Sequence, residues 1–241
     1  MQVLVSAISL DEAQAAHAGG ADIIDVKNVD EGSLGANYPW VIRDSVHGVG
    51  EGRAVFAASI GDLDDRPGNA ALAAVGAVAS GARYVKAGLH GVRTIQEGVD
   101  VMNAVRRACR DQTSPVTVVA AGYADHARFG GLDPSAVLAA AVAARCDVVM
   151  LDTAIKDGRS LFDALDEAAL EAFVSGAHAT GLTVALAGAI RFEHIERMIA
   201  LGADIVGVRS AVCVADDRRA GIDASRVRRF TARCRELAGA A

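Results

Sequence analysis

The chain contains 24 basic residues, yet only Lys27, Lys86 and Lys156 carry an amine; every other cation is an arginine. That bias points to chemistry. A guanidinium stays protonated at any physiological pH, whereas a buried amine can shed its proton and attack a carbonyl to form a Schiff base. Two carboxylates lie close to these amines in sequence, in Asp25-Val26-Lys27 and in Asp152-Thr153-Ala154-Ile155-Lys156. Burial and neighbouring cations both depress a lysine pKa, and three amines at one site would feel both. Asp25 and Asp152 are then placed to orient the amines and to shuttle protons in iminium chemistry. The plainer reading of the same residues is structural, with Lys27 paired to Asp25 and Lys156 to Asp152 or Asp157.

Positioning these groups requires a scaffold that repeats. Eight short apolar runs read as strands: Val3–Ser6, Asp22–Lys27, Ala54–Ser59, Arg83–Gly88, Val116–Ala121, Asp147–Asp152, Thr183–Ala187 and Asp204–Arg209. Between them lie Ala-rich runs of helical period, including Asp11–His17, Ala70–Ser80, Thr94–Arg110, Pro134–Ala144, Asp166–Thr180 and Phe192–Leu201. Near-continuous apolar strands alternating with helices imply parallel strands buried on both faces. Eight such units predict an α/β fold, a single (β/α)8 TIM barrel over residues 1–241. A doubly wound sheet would show a GxGxxG turn after its first strand, but here that strand runs into Ala7-Ile8-Ser9-Leu10.

A weak internal repeat sets the strand phase. Gly20-Ala21-Asp22, Gly81-Ala82-Arg83, Arg145-Cys146-Asp147 and Gly202-Ala203-Asp204 each read as a helix C-terminus entering a strand. Counting onward places Asp25 and Lys27, Lys86 and Gly88, Met150 and Asp152, and Gly207 and Arg209 in one phase. Side chains alternate faces along a strand, so these positions share a face. Charges there belong at the barrel mouth rather than against the helices.

The last two strand ends suggest an anion site. Leu186-Ala187-Gly188-Ala189-Ile190 follows strand seven, and Gly207-Val208-Arg209-Ser210-Ala211 closes strand eight. Barrels often hold phosphate there on backbone amides. Gly188 and Gly207 would admit the ligand, with Arg209 as a charged fork and Ser210 as a further donor. Ser33, in the loop Glu31–Asn37, marks a second candidate. The other polar residues promise less. His47, His126, His178 and His194 lack ligand spacing, so no metal site is expected. Cys213 shows no sign of an activated thiolate. Asp216–Arg219 reads as a solvated loop, and Tyr38 and Trp40 as a packed helix start. His90, just past Lys86, is expected to line the mouth, and Asp62 and Asp125, which follow strands three and five, are expected to reach it.

Composition bounds the rest. The 241 residues are 52 % hydrophobic and 22 % charged, with a net charge of −6. That acidity argues against nucleic acid as a partner. No apolar run is long enough for a bilayer span, and Met1–Ser6 has no signal-peptide character. Four scattered cysteines without a CxxC pair fit the reducing cytoplasm. The expected partner is a small molecule, no cofactor is expected, and assembly into homo-oligomers is compatible with the sequence.

Five segments carry a family resemblance. Asp22-Ile-Ile-Asp-Val-Lys-Asn28, Glu31-Gly-Ser-Leu-Gly-Ala-Asn37, Ala121-Gly-Tyr-Ala-Asp125, Leu151-Asp-Thr-Ala-Ile-Lys-Asp-Gly158 and Asp204-Ile-Val-Gly-Val-Arg209 resemble the (5-formylfuran-3-yl)methyl phosphate synthases, also called 4-(hydroxymethyl)-2-furancarboxaldehyde-phosphate synthases. The resemblance implies a barrel lyase that joins two glyceraldehyde 3-phosphates into a phosphorylated furan aldehyde, losing one phosphate and two waters. The product would supply the furan of methanofuran-type one-carbon carriers. Lys27 would be the Schiff-base lysine and Lys86 a proton acceptor. Asp25, Asp152 and Lys156 would support iminium formation, proton transfer and phosphate departure. Family members often read Asn-Pro where this chain has Asn28-Val29, a difference confined to the shape of the loop. The rival readings are another Schiff-base aldolase or a phosphosugar isomerase on the same barrel, and a non-catalytic phosphosugar-binding barrel.

Overall fold

In a computed structural model of the chain, residues 1–50, 52, 54–112 and 114–240 are described. The eight expected strands form a closed, all-parallel barrel. They are β1 (Gln2–Ala7), β2 (Ile23–Val26), β3 (Val55–Asp62), β4 (Tyr84–Gly88), β5 (Thr117–Tyr123), β6 (Val148–Asp152), β7 (Thr183–Leu186) and β8 (Ile205–Val208). Each pairs with its sequence neighbours, and β8 returns to β1 with Leu4 opposite Gly207. The expected (β/α)8 architecture is therefore present. Among the described residues, no helix is long and apolar enough to cross a membrane.

The surrounding helices begin where local chemistry favours a start. Helix α1 (Leu10–Ala18) is capped by the Ser9 hydroxyl, and α4 (Ile95–Arg110) by a capping box of Thr94 and Glu97. Proline opens α2 (Pro39–Val49), α3 (Pro67–Ala79) and α5 (Pro134–Ala143), where a missing N–H costs nothing. Tyr38 and Trp40 do start α2, but they stack on each other 4.7 Å apart and remain about half exposed instead of packing inward. The ring continues through α6 (Leu161–Ala164), α7 (Glu167–Ala179) and α8 (Ile195–Ala200). Helix α9 (Ala224–Ala240) completes it, burying Val227, Phe230 and Cys234 at helical spacing.

Two apolar layers hold the barrel. One lies between strands and helices; the other fills the interior with Leu4, Ile23, Ala57, Val119, Val148, Met150, Ala185 and Ile205. The interior residues have the same strand parity as Asp25, Lys86 and Asp152, so the phase read from the repeat points those charges inward as expected.

The repeat has a structural cause. Gly20, Gly81, Arg145 and Gly202 all take positive φ, from 54° to 105°, to turn the chain from helix into strand. The aspartates that follow have a second task. Asp22, Asp147 and Asp204 accept hydrogen bonds from the amides of Val3, Val118 and Val184 on the neighbouring strands, at 2.7–2.9 Å. Each thus satisfies an amide at the barrel floor that lacks a ladder partner.

Candidate active site

All three lysines converge on one cleft at the C-terminal ends of the strands, lined also by Ser6, Asp152, Gly188, Gly207 and Ser210. The deepest polar cluster is centred on Asp25, which has no solvent exposure. Its carboxylate accepts hydrogen bonds from Lys86 Nζ at 2.7 Å, Ser6 Oγ at 3.1 Å and Ser59 Oγ at 3.4 Å. Ser6 and Ser59 escaped the sequence reading. Their signal was a serine at an inward-facing position near the end of an odd-numbered strand.

A second pair lies across the mouth. Asp152 Oδ1 accepts from Lys156 Nζ at 2.7 Å and from the amide of Thr153 at 2.7 Å. Burial alone would raise the Asp152 pKa, but Lys156 and Lys27 outweigh it and hold the carboxyl at about 2. Asp152 is therefore ionised throughout the physiological range.

Lys27 is the exception. Among the described residues, no carboxylate lies within ion-pairing distance of its amine; Asp25 is taken by Lys86 and Asp152 by Lys156. The structural pairing of Lys27 with Asp25 is thus not what the fold adopts. Its Nζ donates instead to the carbonyl of Ser33 at 2.8 Å, and the residue is only 5 % exposed. Burial brings its pKa down to about 8 from the usual 10.5; Asp152 and Asp25 oppose the shift, and Lys86 and Lys156 add to it. A free amine fraction of about a tenth is then present at pH 7.

This arrangement has a cost that can be measured. Between pH 8 and 10.5 the folded state has released the Lys27 proton while the unfolded chain still holds it. The unfolded state binds more protons there, so Lys27 makes stability rise with pH across that window. At pH 7 the full penalty applies, and Lys27→Met is expected to stabilise the protein by roughly 1–3 kcal/mol. In urea titrations that advantage should shrink as the pH approaches 10. A variant less stable than the wild type at pH 7 would contradict the assignment.

The loop Glu31–Asn37 explains why Lys27 is buried. Leu34 is fully buried, and the Ser33 hydroxyl donates to the Thr153 carbonyl at 2.8 Å. Gly35 is needed because a Cβ there would overlap the Asn28 carbonyl. Ser33 accordingly caps the lysine through its backbone, and its side chain is turned to Thr153 rather than to a ligand. Asp62 and Asp125 likewise position loops. Asp62 accepts from Leu34 N and from the Tyr123 hydroxyl. Asp125 accepts from the amides of Ala154 and Ile155, at 2.7 and 2.9 Å, and so fixes the loop bearing Lys156. His90 stacks on Phe129 with ring centres 4.3 Å apart.

The rim formed after β7 and β8 has the glycines expected of an anion site. Gly188 and Ala189 take φ of 110° and 46°, and a Cβ on Gly188 would crowd the Thr153 backbone at 3.1 Å. Gly207 and Ser210 line the same cleft. Arg209 does not act as the expected free fork. Its guanidinium donates to both Glu12 oxygens at 2.7 and 3.1 Å, to Ser6 O at 2.9 Å and to Arg218 O at 2.8 Å. Arg218, expected in a solvated loop, instead lines the cleft half-buried, and Arg159, which the sequence reading did not single out, reaches it too. Cys213 is buried, and burial pushes its thiol up to about 11.

Comparison with known proteins places the chain in a family. The family described as 4-HFC-P synthase matches residues 3–231. The chain belongs to that family. Among members of the 4-HFC-P synthase family, the (5-formylfuran-3-yl)methyl phosphate synthase of Methanococcus maripaludis is 50 % identical over 98 % of this chain and 100 % of its own. The enzyme of the same name from Methanopyrus kandleri is 51 % identical over 91 % of this chain and 92 % of its own. Among solved structures, 3-hexulose-6-phosphate synthase from Salmonella typhimurium superposes with a TM-score of 0.66 at 18 % identity, covering 98 % of this chain and all of that one. Phosphoribosyl anthranilate isomerase from Thermus thermophilus gives 0.64 at 19 %, with 98 % and 100 % covered. These last two share the barrel. The 4-HFC-P synthase family is a family of enzymes, and the converging lysines are its candidate machinery in this chain.

Proposed function

We propose that this protein makes (5-formylfuran-3-yl)methyl phosphate by condensing two molecules of glyceraldehyde 3-phosphate through a Schiff base on Lys27. The product is the one in the names of its half-identical relatives. The observation that carries the mechanism is Lys27 itself, an amine buried without a carboxylate partner among the described residues and held at a pKa of about 8. An aldolase or isomerase on the same barrel is the alternative, distinguished by product.

The Lys27 amine adds to the carbonyl of one triose phosphate, and loss of water from the carbinolamine gives an iminium. The iminium acidifies the adjacent C–H, whose proton passes to a basic group, and the resulting enamine forms a carbon–carbon bond to the second aldehyde. Lys86, held by Asp25, and the Lys156–Asp152 pair flank Lys27 and serve these proton transfers. Addition of one water, equivalent to the one released on iminium formation, hydrolyses the C=N bond to restore the aldehyde and free the amine, and ring closure with loss of one phosphate and two waters gives the furan. The sum balances without an oxidant or reductant, because two triose phosphates contain the atoms of one furan aldehyde phosphate, one phosphoric acid and two waters. Aromaticity of the furan makes the last eliminations favourable.

The cleft suits anionic substrates. Among the described residues that line it, Asp152 is the sole carboxylate, against Lys27, Lys86, Lys156 and three arginines, although the whole chain carries −6. Such a local reversal of sign draws in phosphates.

Glyceraldehyde 3-phosphate alone, given to the purified protein, is expected to yield furan-aldehyde absorbance and inorganic phosphate in a one-to-one ratio. Phosphate without furan, or a non-aromatic aldol product, would favour the alternative.

A further inference from the structure

Among the described residues, every cation of the cleft but Arg218 has a carboxylate within 4 Å or is assigned to imine chemistry. Lys86 has Asp25, Lys156 has Asp152 and Arg209 has Glu12. Lys27 is the imine lysine of the reading above. Arg159 is 66 % exposed at its side chain, with Asp157 at 3.8 Å. Arg218 remains, half-buried at the cleft, and among the described residues no carboxylate lies within 4 Å of its guanidinium. A guanidinium cannot escape burial by losing its proton. Burial without a counter-charge is therefore a standing cost unless a ligand supplies the anion.

The backbone at Arg218 is also held from beneath. Arg209 Nε donates to the Arg218 carbonyl at 2.8 Å, while its two terminal nitrogens grip Glu12. Glu12 in turn accepts from the Ile8 amide at 2.9 Å. This chain of contacts ties the β8 loop to β1 and α1. On the same cleft, Ser210 is half-buried and its hydroxyl has no protein partner among the described residues, next to the positive-φ turn at Gly188 and Ala189.

We propose that Arg218 is the guanidinium that binds the substrate phosphate in the cleft, with Arg209 and Glu12 as the positioning pair that holds the loop beneath it. This deepens the proposed function by naming its phosphate ligand, and it rests on that reading for the identity of the substrate. A bidentate grip by Arg218 on phosphate oxygens would supply the missing charge and two aligned hydrogen bonds. Arg209 acts through Arg218 and does not itself contact the ligand.

The test compares Arg218→Ala, Arg218→Lys and the exposed-neighbour control Arg219→Ala in the full-length protein. Arg218→Ala should raise KM for glyceraldehyde 3-phosphate and the inhibition constant of inorganic phosphate about 10- to 100-fold, with kcat changed less than about threefold. Arg218→Lys should recover part of the loss, and Arg219→Ala should match the wild type. Glu12→Gln should raise KM in the wild type but add nothing in the Arg218→Ala background, the non-additivity expected when one residue acts through the other. Unchanged KM and phosphate inhibition in Arg218→Ala would overturn the proposal, and additive effects of Glu12→Gln would overturn the positioning role. Calorimetric titration with inorganic phosphate separates the two readings. If the wild type makes no furan yet binds phosphate through Arg218, the reaction fails and the anion site stands. If it makes furan while phosphate binding ignores Arg218, the anion site fails and the reaction stands.

Discussion

Lys27→Arg is expected to abolish furan formation, by at least about a thousandfold, while leaving the protein folded. Arginine keeps the positive charge and the reach of the side chain, but it has no amine to lose a proton and form an imine. The loss should fall on kcat, and borohydride in the presence of glyceraldehyde 3-phosphate should trap a covalent adduct on the wild type and none on the variant. The pH profile gives a second readout. Imine formation consumes the free amine, so trapping should accelerate with pH up to the Lys27 pKa of about 8 and level off above it. Asp152, at about 2, stays ionised across that range and adds no inflection. Full turnover in Lys27→Arg would remove the Schiff base from the mechanism.

Asp25→Asn should have the largest combined effect on stability and rate. The carboxylate is fully buried and holds Lys86 at 2.7 Å. Replacing it with an amide leaves the Lys86 ammonium buried without its counter-charge. Breaking a buried pair from one side costs about 3–5 kcal/mol. The side chain also accepts from Ser6 and Ser59, so half of its hydrogen-bond pattern must reverse. Chemical denaturation should show the loss directly. The double change Asp25→Asn with Lys86→Met should recover much of the stability but not the activity, because the two groups are needed together for proton transfer. If the single variant were as stable as the wild type, the pair would not be holding the barrel mouth.

The barrel was legible because its rules are local. Short apolar runs between Ala-rich helical runs appear in any short window, and one phase carried through four strands was enough to aim Asp25, Lys27, Lys86 and Asp152 inward. The scarcity of lysine marked the same residues by type alone. The turn positions Gly20, Gly81 and Gly202 were visible too, since a positive φ selects glycine. Arg145 meets the same need without being glycine, and its place in the repeat gave it away.

The partnerships followed from long-range geometry. Lys27 and Asp25 are neighbours in sequence, but they occupy successive inward positions on one strand. The Asp25 carboxylate therefore faces β4, and Lys86, 61 residues on, takes it. Lys27 is left with no carboxylate partner among the described residues, donating to the carbonyl of Ser33 in a loop anchored to Thr153, 120 residues away. Arg209 read as a phosphate ligand because its strand end pointed to the mouth. Closure of β8 against β1 delivered it to Glu12, 197 residues distant, and brought Arg218 to the cleft from a loop that looked merely solvated. Alternation along a strand is a property of a few consecutive peptide units, so residue order suffices to read it. The choice of counter-ion depends on which strand ends ring closure makes adjacent, and no local pattern records that.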